Sequence, residues 1–270
     1  MAKLLAIAAL WSSAVSAPPP NAPIPHEPQL LAQRVSQTAQ DLRAAIDRWR
    51  GLRNPAQSGP PEDVTLDALY QQRIYILLAA NPRLATTTLR RLPPQLARAA
   101  RDDVLARREL GRLSRPRPVG AFRIGRAEPA DRLRHYYREG ERRFGVAWQL
   151  LAAVNFVESA YNKLRSASAA GAQGPMQFLP STWRAYGLGG NIHDPHDAIL
   201  GAANYLHTNG APRNYRRALF RYNPSWLYVD AVLRYVRVIR RDERAYYELY
   251  SRQVFVRTPR GLLRLTGPGR

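Results

Sequence analysis

Trp148-Gln149-Leu150-Leu151-Ala152-Ala153-Val154-Asn155-Phe156-Val157-Glu158-Ser159 is the stretch from which the rest of the chain is read. Leu150, Leu151, Val154 and Val157 return at steps of three and four residues, the period of a helix with a buried face. Glu158 stands where that helix leaves the core. No Asp or Glu follows it until Asp194. Burial of a carboxyl without a charged partner disfavours its ionised form, so the expectation is a raised pKa and a proton held until an acceptor arrives. Such a group is suited to act as a general acid near neutral pH.

The text after Glu158 narrows the reading. Ser159 follows directly. A stretch rich in small residues runs Ser168-Ala169-Ala170-Gly171-Ala172-Gln173-Gly174-Pro175-Met176-Gln177, and then come Ala202-Ala203-Asn204-Tyr205-Leu206 and Tyr222-Asn223. Taken in this order, the elements resemble the catalytic domain of bacterial lytic transglycosylases of the soluble, goose-lysozyme-like type, the SLT domain. The signature of that family is Glu-Ser, a Ser-x-x-Gly-Ala-x-Gly-x-Met-Gln loop, an Ala-x-x-Tyr-Leu helix and a late Tyr-Asn pair. The common family form Gly-Leu-Met-Gln is here Gly174-Pro175-Met176-Gln177, and Pro175 fixes the backbone at that point. The resemblance covers roughly residues 120–250.

The resemblance implies an all-α fold, a lysozyme-like helical catalytic domain preceded by a helical N-terminal domain. It also implies a substrate, the alternating N-acetylglucosamine and N-acetylmuramic acid strands of peptidoglycan, and a cut after muramic acid that leaves a 1,6-anhydromuramoyl end. By the same carry-over, Glu158 is first acid and then base. Ser168 and Gln177 bond sugar hydroxyls or the acetamido group, Met176 offers an apolar contact beside the ring, and Asn223 holds the N-acetyl carbonyl. Tyr205 and Tyr222 orient Glu158 or the glycan.

Two other readings keep part of this picture. A muramidase of the same fold would need a second carboxylate to activate water. The next acids are Asp194, before Pro195 in a turn, and Asp197, as a helix cap, and both read as structural. A non-catalytic wall-binding protein would keep the cleft without turnover. Nucleic-acid binding rests on charge alone and lacks interleaved aromatic and basic residues on one face.

Composition bounds the whole. The 270 residues are 45% hydrophobic, enough for a folded chain with a core. There are 41 basic and 20 acidic residues, a net +21, with a pI of 11.2. A surface of that sign favours anionic partners, here peptidoglycan and anionic wall polymers. Lysine occurs only at Lys3 and Lys163, and the arginines are spread along the chain. There is no cysteine to form a disulfide or carry a lipid. The five histidines are scattered, and no metal site and no cofactor is expected; His193 and His196 read as loop residues.

Residues 1–16 have a basic start, an apolar run from Leu4 to Trp11 and small residues through Ser16, the form of a secretory signal peptide. The implied location is the periplasmic space or cell wall. The run is short for a membrane span, and no second apolar run approaches that length. Residues 17–30 are rich in proline and read as an extended spacer. Residues 31–115 carry helical periodicity broken at Gly51, Asn81-Pro82 and Pro93-Pro94, a helical N-terminal domain with no evident chemistry. Asp63 or Thr65 is the candidate cap of its second helix. Residues 115–120 form a proline-broken connector, residues 120–250 the catalytic domain with Asp131 as a cap, and residues 251–270 a loose basic tail. No alternating strand pattern is evident.

Overall fold

The computed structural model describes residues 17–52 and 59–269. The expected signal segment, residues 1–16, lies outside them. The architecture is all-α, as the sequence implies, with one short hairpin at the C-terminal end.

Four helices make up the first half: α1 (Pro28–Arg50), α2 (Glu62–Ala80), α3 (Pro82–Leu89) and α4 (Pro94–Leu113). Pro28, Pro82 and Pro94 each occupy a first helical position, where a missing N–H costs nothing. Glu27 caps α1 by accepting from the backbone N–H groups of Gln29 and Leu30. Neither Asp63 nor Thr65 caps α2. The helix begins at Glu62 after Pro61, and Asp63 instead takes Arg48 and the N–H of Val64.

The second half consists of α5 (Ala130–Phe144), α6 (Trp148–Ser159), α7 (Pro180–Tyr186), α8 (Pro195–Thr208), α9 (Tyr215–Tyr222), α10 (Trp226–Arg241) and α11 (Arg244–Ser251). α6 is the central helix. Leu150 to Asn155 are all buried, and α5, α8, α10 and α11 pack around it. A helix apolar on all sides can only be stable inside other helices, and this one delivers Glu158 from the middle of the core to its edge. Asp131 lies in the first turn of α5, one residue past the helix start, and accepts from the hydroxyl of Tyr247.

The first half is packed directly against the second. Leu42, Ile46, Trp49, Val64 and Ala106 share one core with Leu151, Val154 and Val229, while Leu31, Tyr70, Ile74 and Val104 form another among α1 to α4. Along the seam between α4 and α10, Asp102 accepts from Arg237 and Arg241, and Glu109 from Arg234. One residue on, Asp103 is paired with Arg252 just past α11, and both side chains are almost fully buried.

Two segments are more ordered than their composition suggests. The proline-rich stretch lies against α2, where the hydroxyl of Tyr70 donates to the carbonyl of Pro23 and Arg73 donates to those of Pro20 and Ala22. The stretch expected as a loose tail contains β1 (Phe255–Thr258) and β2 (Gly261–Arg264), paired antiparallel with Val256 opposite Leu263. Val254, Val256 and Leu265 bury themselves there against Phe122, Ala160 and Leu164. Among the described residues no helix is long and apolar enough to cross a membrane.

Candidate active site

Glu158 is the penultimate residue of α6, and the chain reverses immediately after it. Ala160, Tyr161 and Asn162 all take left-handed backbone angles, with φ of 51°, 62° and 65°. For non-glycine residues this conformation is costly and persists only where the surroundings enforce it. The enforcing contacts are visible. Ser159 Oγ accepts from the N–H of Asn162 at 2.9 Å and donates to the carbonyl of Pro175 at 2.6 Å. Asn155 Nδ2 donates to the same carbonyl at 2.8 Å, and Tyr137 donates to Asn155 Oδ1 at 2.6 Å. A buried polar chain thus ties the end of α6 to the loop 168–177. Fully satisfied networks of this kind fix one arrangement.

Among the described residues the carboxyl of Glu158 receives a single hydrogen bond, from the hydroxyl of Tyr228 to Oε1 at 2.6 Å. The residue keeps partial solvent access, while the carboxyl itself is surrounded closely enough by protein that burial dominates its ionisation. Burial pushes its pKa up to about 7, and the Tyr228 hydrogen bond pulls in the opposite direction. Neither a second acid nor a cation contributes to the shift. The group is therefore a solitary carboxyl poised to exchange a proton near neutrality.

The remaining residues predicted from the sequence fall into distinct positions. Tyr222 donates to the carbonyl of Met176 at 2.6 Å, which links α9 to the loop. Its ring meets that of Tyr205 edge-on at 5.4 Å, and Phe178 packs against both. Tyr205 donates to the carbonyl of Arg221 at 2.7 Å. Neither tyrosine hydroxyl bonds Glu158; that contact belongs to Tyr228. Met176 is fully buried, so its side chain fills the core beneath the loop and its carbonyl holds Tyr222. Gln177 has φ of 49° and turns its amide back on the carbonyls of Gly174 and Ser166. Ser168 Oγ accepts from the N–H groups of Ala170 and Ala172, closing the start of the loop. The backbone of Asn223 ends α9, and its half-buried side-chain amide forms no hydrogen bond with the described residues, which leaves it free for a ligand.

Gly174 shows why the loop needs glycine. Its φ is 74°, and a Cβ there would lie 1.9 Å from the carbonyl oxygen of Ile192.

Tyr228 is the residue that sequence reading missed. It stands in α10 among buried apolar residues such as Val229 and Val232, with no local signal to set it apart; only the crossing of α10 over α6 brings its hydroxyl to Glu158. Asp194 and Asp197 hold structure, as the sequence suggests, but the cap of α8 is Asp194 and not Asp197, which lies in the first turn. Asp194 caps α8 by accepting from the N–H of Asp197, and Asp197 accepts from the N–H of Asn191. His196 lies within α8 rather than in a loop and bonds Glu139 at 2.9 Å. Asp194, His196 and Asp197 come close together, but these contacts account for their positions. A cavity of about 550 Å³ between α1, α2, α4, α10 and α11 is remote from Glu158. Its acids Asp47, Asp103, Asp242 and Glu248 are all paired with arginines.

Residues 135–235 match the family model described as the transglycosylase SLT domain. The chain carries an SLT domain. Glu158, the loop 168–177, Tyr205, Tyr222, Asn223 and Tyr228 all lie within the matched residues. Over 107 residues the chain is 34% identical to membrane-bound lytic murein transglycosylase F 1 of Alkalilimnicola ehrlichii, covering 38% of this chain and 21% of that protein. Over 149 residues it is 28% identical to membrane-bound lytic murein transglycosylase F of Thiobacillus denitrificans, covering 53% and 31%. The chain thus spans a third or less of the length of these relatives. No solved structure matches it.

Proposed function

We propose that this chain is an exported peptidoglycan lytic transglycosylase that cleaves the bond between N-acetylmuramic acid and N-acetylglucosamine and leaves a 1,6-anhydromuramoyl end. The observation that carries the reading is the single carboxyl of Glu158, buried, raised to about 7, and without a second acid acting on it. Cleavage begins with transfer of the Glu158 proton to the glycosidic oxygen as that bond breaks. The substrate's acetamido oxygen supports the anomeric carbon. Glu158, now a carboxylate steadied by the Tyr228 hydroxyl, removes the proton from the sugar's own 6-hydroxyl, whose oxygen closes the anhydro ring on the anomeric carbon. The carboxyl ends as it began, protonated.

An attached nucleophile gains several kcal/mol over one collected from solution, and it removes the need for a base that positions water. Hydrolysis of the inverting kind needs two carboxylates separated by room for a water. No acid among the described residues shifts the pKa of Glu158, and the next acids in the chain, Asp194 and Asp197, are engaged with backbone N–H groups.

In this proposal the free amide of Asn223 holds the N-acetyl group. Ser168 and Gln177 present the loop edge to the glycan, and Met176, Tyr205 and Tyr222 set the shape of the floor. The net charge of +21 favours the anionic wall. The relatives' names place them at a membrane and on murein, which agrees with export to the cell wall. The test is Glu158→Gln assayed on purified sacculi. Release of soluble fragments falls by orders of magnitude while sedimentation with sacculi persists; unchanged release refutes the role of Glu158.

A further inference from the structure

Two acid-free segments meet on the side of the molecule that carries the hairpin. Residues 110–127 and 249–270 contain no Asp or Glu. They are joined in space: the N–H of Arg117 donates to the carbonyl of Arg257 at 3.0 Å, and Arg257 Nη1 donates to the carbonyl of Gly111 at 2.9 Å. Phe122 packs on Val254, Val256 and Leu265 beneath the hairpin.

Arg112, Arg115, Arg123, Arg126, Arg257 and Arg260 are all exposed there, and none of them forms an ion pair among the described residues. Some surface arginines elsewhere are neutralised, as Arg48 is by Asp63, Arg132 by Glu128 and Arg216 by Asp230, and others such as Arg34 and Arg142 form no ion pair among the described residues; what sets this face apart is that its two segments hold no acid at all. The same two segments expose large aliphatic side chains: Leu113 at 40%, Val119 at 50%, Ile124 at 37% and Leu262 at 54%, the last on the outer side of the hairpin opposite Arg257, whereas Leu263 lies on the inner side with Val256. Guanidinium groups without an acidic partner beside exposed aliphatics form a surface with two complementary needs, an anion and a dry boundary.

We propose that this face, residues 111–126 together with the β1–β2 hairpin, docks on an anionic lipid bilayer. The arginines take the headgroup phosphates, and the leucine, valine and isoleucine side chains reach the acyl boundary. Peripheral binding to such a surface draws on both contributions, and neither alone holds a protein firmly. A soluble polyanion would satisfy the arginines but leave the aliphatic side chains in water. A glycan strand would be met by exposed aromatic rings; the exposed rings of this surface are absent, Phe122 and Phe255 being partly buried. The face does not include Glu158, so the inference stands independently of the reaction assigned to that residue.

The experiment is co-sedimentation of the full chain with vesicles of phosphatidylglycerol and phosphatidylcholine, and with vesicles of phosphatidylcholine alone. Binding to the anionic vesicles is strong and weakens with salt, while binding to the neutral ones is slight. The pair Arg115→Glu and Arg260→Glu lowers partitioning by about a hundredfold. The pair Val119→Ser and Leu262→Ser lowers it by about tenfold, also at high salt where the arginines are screened. All four positions are exposed, and the melting temperature stays at the parent value. Equal binding by parent and variants overturns the proposal, as does absence of vesicle binding. Loss of binding to sacculi in the variants with vesicle binding intact also overturns it, and assigns the face to the wall polymer instead.

Discussion

The hydroxyl of Tyr228, on α10, lies 2.6 Å from Oε1 of Glu158, on α6. This hydrogen bond stabilises the carboxylate against the burial that disfavours it, so Tyr228 sets how far above the ordinary range the proton affinity of Glu158 rises.

Tyr228→Phe removes that donor. The pKa of Glu158 then rises beyond about 7, and the alkaline limb of the pH–rate profile, which follows the protonated carboxyl that begins the reaction, moves to higher pH by about one unit for a charge-assisted hydrogen bond. At pH 8 the variant keeps about fivefold more of its carboxyl protonated than the parent does and loses correspondingly less of its rate. A uniform loss at every pH, with unmoved limbs, would mean that Tyr228 only supports the fold.

The same carboxyl makes stability depend on pH. Its folded pKa of about 7 exceeds the ordinary 4.5, so the folded state holds more protons and loses stability as pH rises from 4.5 through 7. Glu158→Gln carries no such cost. The variant melts with the parent at pH 4 and is more stable at pH 8, by on the order of 2 kcal/mol given the residue's partial access to solvent. Thermal melts at the two pH values read this directly.

Gly174→Ala attacks the loop without touching a titratable group. The added Cβ meets the carbonyl of Ile192 at 1.9 Å in a backbone with φ of 74°. The loop shifts, carrying with it Pro175 and the anchor to Ser159 and Asn155, and turnover falls by at least about a hundredfold. Circular dichroism stays near that of the parent. A variant with full turnover shows that the loop's position does not matter to the reaction.

Arg252→Met tests the attachment between the halves. Burial opposes ionisation of Asp103, and the guanidinium groups of Arg252 and Arg107 together outweigh it and hold the pKa below the usual carboxylate value. Removal of Arg252 leaves that carboxylate buried with one partner and costs about 3–5 kcal/mol in urea unfolding. The contribution is present above the unfolded pKa of Asp and is lost as pH falls, so the difference between parent and variant shrinks in acid. A variant of equal stability at neutral pH contradicts the pairing.

Much of the helical scaffold was legible because its signals are local. The apolar steps of α6, the prolines that open α1, α3 and α4, and the absence of acids after Glu158 all lie in contiguous text. What escaped depends on distance or on brevity. α9 and α11 span eight residues each, too few for a periodic pattern to declare itself. The hairpin strands span four residues each, and their burial comes from Phe122 and Leu164, remote in sequence. Tyr228 was visible as a helix residue, but its role rests on where α10 crosses α6. Met176 belongs to the loop that the sequence singled out, yet no local pattern says which side of that loop faces the core.

The measurement that bears most directly on a lone Glu158 acting as both acid and base is the mass of the sugar end released from purified glycan strands by the intact chain. The account predicts a muramoyl end lighter than a reducing end by one water. Release of reducing ends alone would contradict it and require a second base that positions water.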